Sequence, residues 1–249
     1  MHLYRLCIFI AILLQTISAH AAEVEVAVAS NFMEPMNAIA AAFTKETGHV
    51  AKLSFGSSGM LYAQIVNGAP FEVFLSADDE TTALIEKMGL GIEKSSFTYA
   101  IGTLVLWSAK AGLVDDKGAV LRKGRFNKIA IANPKFAPYG KAALDTLTSM
   151  NLVEAVSPKL VQGENISQAY QLVMTGNADL GFVSLSQVMK NGNVSGGSLW
   201  IIPNIMHKEI RQKSIILSSA KDSVAAKSLM TFLRGNKAKA IIRSYGYKS

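Results

Sequence analysis

FTYAIGTLVLWS, from Phe97 to Ser108, is the stretch on which the fold turns. It is long, β-rich and uncharged, enough to run as a strand from one domain into another. Before it, strand and helix signals alternate. Glu23 to Ala29 (EVEVAVA) alternates strictly as a strand, and Met33, Met36, Ile39, Ala40 and Phe43 keep helical spacing up to Thr47-Gly48. Val50 to Phe55 is a second strand, followed by Leu61, Ile65 and Val66 on a short helix. Glu72 to Leu75 is a third strand, and Asp79 to Met88 a third helix closed by Gly89. After Phe97–Ser108 and a Gly/Lys/Arg-rich loop (Asp115 to Arg125) the rhythm restarts. Strands are expected at Lys128–Ala132, Pro158–Gln162 and Leu180–Leu185, and helices at Lys141–Met150 and Ser167–Met174. Leu199–Ile202 and Ser214–Leu217 are strands on the way back, and helices near Asp222–Leu233 and Lys237–Tyr245 finish the chain. Two α/β units, a long strand out and a return near Pro203 predict two lobes of mainly parallel sheet joined by a double crossover. The expected division is 22–104 for the first part of lobe one, 105–203 for lobe two and 204–249 for the return to lobe one.

Composition removes whole classes of function. The chain has 249 residues, half of them apolar and 17% charged, an ordinary globular balance that excludes intrinsic disorder. A single cysteine excludes both a disulfide framework and a thiolate zinc cluster. Of four histidines, His2 and His20 lie at the extreme N-terminus, which argues against a multi-histidine metal site. Residues 1–21 read as a secretory signal. Arg5 is the positive region, Leu6 to Leu14 the apolar run, and Ala19-His20-Ala21 the small-x-small cleavage site. The run is too short to span a membrane, which needs about 20 residues. The mature chain is expected to begin near Ala22, exported, with no cysteine and no membrane insertion. Losing Arg5 lowers the net charge from +7 to +6. The basic stretches Lys117–Lys128 and Arg234–Lys248 carry few aromatics and look like solvated faces, not a nucleic-acid groove.

One kind of junction recurs. Ala29-Ser30-Asn31 ends the first strand, with Glu34 three residues after Asn31 in a capping-box pattern. Gly56-Ser57-Ser58-Gly59 opens the second helix, Asn133 to Gly140 joins a strand to a helix in the second unit, and Gly163-Glu164-Asn165-Ile166-Ser167 does so again. In open α/β sheets ligands bind outside the carboxyl ends of strands, where such junctions collect. Helix starts present unpaired N–H groups and partial positive charge, and so attract anions. Ser30, Ser57, Ser58 and Tyr139 can add hydroxyl donors. Taken singly, each junction also reads as plain helix capping. No phosphate loop, dinucleotide fingerprint or nucleophile elbow occurs. Asp78-Asp79-Glu80 reads as acidic residues at a helix start, His49 and His207 as surface or packing residues, and Trp107 and Trp200 as core.

Together these stretches resemble the periplasmic molybdate-binding proteins of ABC importers. The similarity runs through VAVASNFMEPMNAIAAAF, KLSFGSSGMLYAQIVNGAPFEVFLSADDE, FTYAIGTLVLWS, IANPKFAPYGKAAL and GENISQAYQLVMTGNADLGFVS, nearly the whole mature chain. The resemblance implies a type 2 periplasmic binding protein fold, two α/β lobes with two crossover strands and the oxyanion clamped between them. It implies molybdate or tungstate as ligand, no cofactor, no enzymatic activity, an ABC permease of the inner membrane as partner, and a monomer in the periplasm. Carried over by position, the ligands fall on Ser30 with Asn31 beside it, Ser58 with Ser57 beside it, Tyr139, and Ile166 through its backbone. Many relatives carry a tyrosine where this chain has Ser184, and a small residue where it has Tyr139. The resemblance is thus to a variant subgroup whose phenol comes from the other loop, with Ser57 and Ser184 as secondary candidates.

A tetrahedral dianion is costly to strip of water, so its site must supply hydrogen bonds to every oxygen. Bonds to an ionic acceptor are the stronger ones. Two rivals remain open: a binder of another anion, such as sulfate or a small carboxylate, and an exported hydrolase using Ser57 or Ser58 with a lysine.

Overall fold

Strict alternation in EVEVAVA puts Val24, Val26 and Val28 of strand β1 (Glu23–Ala29) on one face and Ala27 on the other, and packed apolar layers cover both. The computed structural model describes residues 21–249, with Lys190 described by its backbone alone. The expected leader lies outside the described residues except for Ala21. Among those residues no helix is long and apolar enough to cross a membrane.

Helix α1 (Met33–Thr47) follows β1 and ends at Gly48, whose φ of 76° is the left-handed state that glycine tolerates. Strand β2 (Val50–Gly56) leads into α2 (Ser58–Val66), and β3 (Val73–Ser76) into α3 (Glu80–Lys87). The Phe97–Ser108 stretch is two strands. β4 (Phe97–Gly102) belongs to the first sheet and β5 (Leu104–Ser108) to the second, with Thr103 between them. The loop expected at Asp115–Arg125 contains a short helix, α4 (Ala119–Lys123). Then come β6 (Ile129–Ala132), α5 (Pro138–Ser149), α6 (Val153–Val156), β7 (Leu160–Gly163), α7 (Ile166–Met174), β8 (Leu180–Ser184) and α8 (Leu185–Val188). A hairpin of β9 (Met189–Lys190) and β10 (Asn193–Val194) precedes β11 (Ser198–Ile201). Strand β12 (Ile210–Ile216), α9 (Val224–Arg234) and α10 (Asn236–Ser244) complete the described elements.

The strands form two five-stranded sheets, ordered β2-β1-β3-β12-β4 and β11-β5-β8-β6-β7. Each is mixed. β1, β2 and β3 are parallel, as are β6, β7 and β8, whereas the strands that arrive from the other sheet, β12 and β5, enter antiparallel. This is the two-sheet α/β architecture expected from the sequence, with the parallel portion confined to three strands per sheet. Smaller expectations shift for local reasons. Pro158 lacks the N–H a ladder needs, so Ser157–Lys159 is a 3-10 turn and the strand starts at Leu160. Pro138 suits the first helical position, so α5 starts three residues before Lys141. The return strand runs from Ile210, longer than the expected Ser214–Leu217.

Each sheet has its own core. Leu104, Leu106, Ile129, Leu180 and Phe182 anchor the second, and Val26, Val28, Phe32, Met36 and Phe43 one face of the first. Burying each such side chain contributes roughly 1.5–3 kcal/mol, which fixes the strand ends relative to one another.

Candidate functional site

Four strand-to-helix junctions meet between the sheets. β1 hands over to Ser30 and Asn31, both buried in a 3-10 turn (Ser30–Phe32) ahead of α1. β2 ends at Gly56, Ser57 caps α2 and Ser58 is its first residue. In the second sheet a loop from Asn133 leads β6 into α5, and Asn165 leads from β7 into α7. Ser30, Asn31, Ser57 and Ser58 from one side and Tyr139 and Ile166 from the other line one small cavity. No acidic or basic side chain lines it.

Hydrogen bonds separate the residues that only cap a helix from those that do not. Asn165 caps: its Oδ1 accepts the N–H of Ser167 at 2.9 Å and of Gln168 at 3.1 Å. Of the first three N–H groups of α7, only that of Ile166 is then without a partner among the described residues. In α5, Pro138 has no N–H and the N–H of Lys141 closes onto the Ala137 carbonyl at 3.0 Å. Tyr139 carries the first N–H of that helix. Ser57 holds the cap position but its Oγ caps nothing; it is buried without a hydrogen-bond partner. A buried orphan of this kind costs about 1–3 kcal/mol. Ser58 Oγ accepts the N–H of Ala77 at 2.9 Å, which leaves its proton for another acceptor.

Asn31 departs from the capping-box expectation. The 3-10 turn moves it off the cap, and the N-cap of α1 is Phe32, with no side-chain bond. The Asn31 amide turns inward and donates to Gln212 Oε1 at 2.9 Å and to the Tyr247 hydroxyl at 2.8 Å. Both amide hydrogens are committed, so Asn31 can offer a guest its backbone N–H and not its side chain.

Behind the cavity lies a buried polar network that sequence reasoning missed. Tyr99 donates to Gln212 Oε1 at 2.9 Å, and Gln212 Nε2 reaches the Tyr139 hydroxyl at 3.4 Å. Ser184 Oγ donates to the same hydroxyl at 3.0 Å and lies 2.8 Å from Ser186 Oγ. Ser186 and Tyr247 both donate to the Asn31 carbonyl, at 2.8 and 2.9 Å. Gln212 sits beside a register shift between β12 and β4, where a bulge re-aims a side chain. Gly102 gives the network room, since a Cβ there would run into the Tyr139 hydroxyl and the Gln212 amide. Burial holds the Tyr139 phenol well above its usual pKa, and Tyr99 and Tyr247 are raised for the same reason. All three stay O–H groups at any ordinary pH. With Ser184 and Gln212 filling its lone pairs, the Tyr139 hydroxyl has its own proton left. Ser184 does not line the cavity; its N–H bonds Gln187 Oε1 at 3.0 Å and its Oγ supports the phenol.

The remaining candidates have structural employment. Asp78 Oδ1 accepts the Thr81 N–H at 2.6 Å, and burial raises the Asp78 pKa; Asp79 and Glu80 pair with Lys208. His49 Nδ1 accepts the Ala22 N–H, Trp107 Nε1 bonds the Gly196 carbonyl, and Trp200 is buried. Lys135 and Lys141 line an outer cleft with Asp78 and Glu80, and neither lines the cavity. Neither Ser57 nor Ser58 has a base as hydrogen-bond partner among the described residues, so neither oxygen is activated as a nucleophile.

Comparison with known proteins adds three findings. The family model of bacterial extracellular solute-binding proteins matches residues 24–248. The molybdate-binding protein ModA of Azotobacter vinelandii is 54% identical over 245 residues, covering 98% of this chain and 97% of its own, and that of Rhodobacter capsulatus is 48% identical, covering 92% and 89%. The solved Azotobacter vinelandii periplasmic molybdate-binding protein superposes with a TM-score of 0.89 at 41% identity, over 91% of this chain and 99% of that one.

Proposed function

The chain belongs to the bacterial extracellular solute-binding proteins, and from that premise we propose that it holds molybdate in the cavity between its sheets and delivers it to an ABC permease of the inner membrane. It is the molybdate-binding component of an ABC importer, working outside the cytoplasm, and not an enzyme. The proposed ligands are the hydroxyls of Ser30, Ser57 and Ser58, the backbone N–H groups of Asn31 and Ile166, and the N–H and phenol proton of Tyr139.

The observation that carries this assignment is the unpartnered Ser57 Oγ in a wall of free donors. A dianion resting there meets hydroxyl protons and helix-start N–H groups on every side. The positive ends of α2, α5 and α7 offset its charge without a basic side chain. Because the walls carry no carboxylate, a protonated oxyanion such as hydrogen phosphate finds no anionic acceptor there for its proton. The absence of lysine or arginine from the lining also disfavours a carboxylate ligand. Tungstate, a tetrahedral dianion like molybdate, fits the same donors, and cavity size must reject the smaller sulfate. The lobes must part to admit the ion and close on it to retain it. The proposed life of the chain starts with removal of residues 1–21 and continues as a periplasmic monomer.

Titration calorimetry of the mature chain with molybdate, tungstate, sulfate and phosphate tests this. Molybdate and tungstate should bind with Kd below ~1 μM, at least about 100-fold tighter than the other two, some 2.7 kcal/mol apart. No heat from molybdate at micromolar concentration sinks the assignment.

A further inference from the structure

At the mouth of the cavity the first two residues of α2 face different partners. Ser58, at the first position, lines the cavity. The N–H of Gly59, at the second, crosses to the other sheet's side and donates to the carbonyl of Phe136 at 2.9 Å. That carbonyl is held in place by its own loop. The N–H groups of Phe136 and Ala137 both bond the Asn133 carbonyl, at 3.2 and 2.8 Å, and that of Lys135 bonds Asn133 Oδ1 at 2.9 Å. The approach is main chain to main chain. A Cβ on Gly59 would lie 3.0 Å from both the Cα and the carbonyl oxygen of Phe136, atoms that no rotamer change can move aside.

We infer that Gly59 is a positioning residue for ligand retention, through a closing hydrogen bond that lets the two sheets meet over the bound ion. The inference rests on the molybdate-binding reading above. Gly59 does not line the cavity. Its effect comes through the geometry of Ser58 and Phe136. Since Ser58 and Gly59 are consecutive, the α2 start grips the ion with one residue and the opposite lobe with the next. Moving the lobes apart breaks the Gly59–Phe136 bond and withdraws Ser58 from Tyr139 in one motion. Beside the cavity the two halves are also tied by side chains, Ser167 Oγ to the Ser30 carbonyl at 3.1 Å and Ser186 Oγ to that of Asn31. Those bonds tolerate small displacements because hydroxyls rotate. The Gly59 contact has no such slack.

The test is Gly59→Ala in the mature chain, read by calorimetry, by the dissociation rate of molybdate when chased with excess tungstate, and by small-angle scattering with molybdate bound. The molybdate Kd should rise tenfold or more, nearly all of it in a faster dissociation rate, and the bound protein should be less compact than the unsubstituted one. Ligand-free thermal stability should hold or rise, because alanine is favoured over glycine within a helix. Phe136→Ala, which keeps both main-chain atoms, should bind within twofold of the unsubstituted chain. Equal affinity and equal dissociation rate for Gly59→Ala overturn the inference while leaving molybdate binding intact. Loss of ligand-free stability in Gly59→Ala also overturns it, since it would make Gly59 a folding requirement. If the unsubstituted chain takes up no molybdate, the functional reading itself falls, and this inference with it.

Discussion

On the wall built by the first sheet the proposed donors are mostly side chains, with the Asn31 N–H beside them: Ser57 Oγ without a partner, and Ser58 Oγ with its proton unassigned. On the wall built by the second sheet they are main-chain N–H groups together with the Tyr139 phenol, and the side chains select which N–H groups stay free. Pro138 removes one N–H from α5, and Asn165 occupies two of α7, so that those of Tyr139 and Ile166 are left on the cavity lining. One wall can therefore be altered by deleting an oxygen. The other resists substitution at Ile166, because any residue except proline brings an N–H, and can lose an oxygen only at Tyr139. A site of this kind carries much of its chemistry where a residue's identity does not record it.

The sharpest way to break the contrast is Ser58→Ala. It removes a hydroxyl donor to an anion and orphans the Ala77 N–H at the same time. A hydrogen bond to a charged group contributes about 1.5–3 kcal/mol, so molybdate affinity should fall roughly 10- to 150-fold by calorimetry. A change below threefold would move Ser58 out of the ligand set.

Ser57→Ala comes next and has two signs. Removing a buried hydroxyl that bonds nothing in the protein should raise ligand-free stability by about 1 kcal/mol, read as a higher Tm. The same change should weaken molybdate binding about tenfold, close to 1.4 kcal/mol. If stability and affinity fall together, Ser57 is an ordinary structural serine. The smallest expected effect is on the opposite wall. Ile166→Val keeps the backbone N–H and most of the apolar contact, so Kd should stay within a factor of about two, or ~0.4 kcal/mol. A larger loss would mean that Ile166, too, works through its side chain.

The same contrast explains what could be read from the sequence. Alternation in EVEVAVA and the helical spacing from Met33 to Phe43 are local signals, and they placed the first strand and helix correctly. The strand-to-helix junctions were legible because Gly, Ser, Asn and Pro mark them locally. The bond that turns Asn31 away from its cap was not, since it joins residues 181 and 216 positions apart, to Gln212 and Tyr247. Nor was the closing bond of Gly59 to Phe136, whose one trace in residue type, the glycine itself, reads equally as part of a Gly-Ser-Ser-Gly turn. The long Phe97–Ser108 stretch read as one strand because Thr103 is itself β-branched and the break there depends on which sheet each half joins. Pairings distant in sequence decide the second layer of the site, and a single sequence carries no periodicity for them.

The Asn31–Tyr247 bond also has a consequence in time. It closes a loop around almost every element of both sheets, so the wall it supports belongs to the contacts of greatest sequence separation. Such contacts form after local ones, because the intervening chain must first be ordered. The pocket should accordingly be among the last features to mature as the chain folds, after the individual helices and the parallel strand pairs. Uptake of molybdate during refolding then becomes a clock for completion, silent on partly folded chains and switched on only when residues near Tyr247 have found those near Asn31.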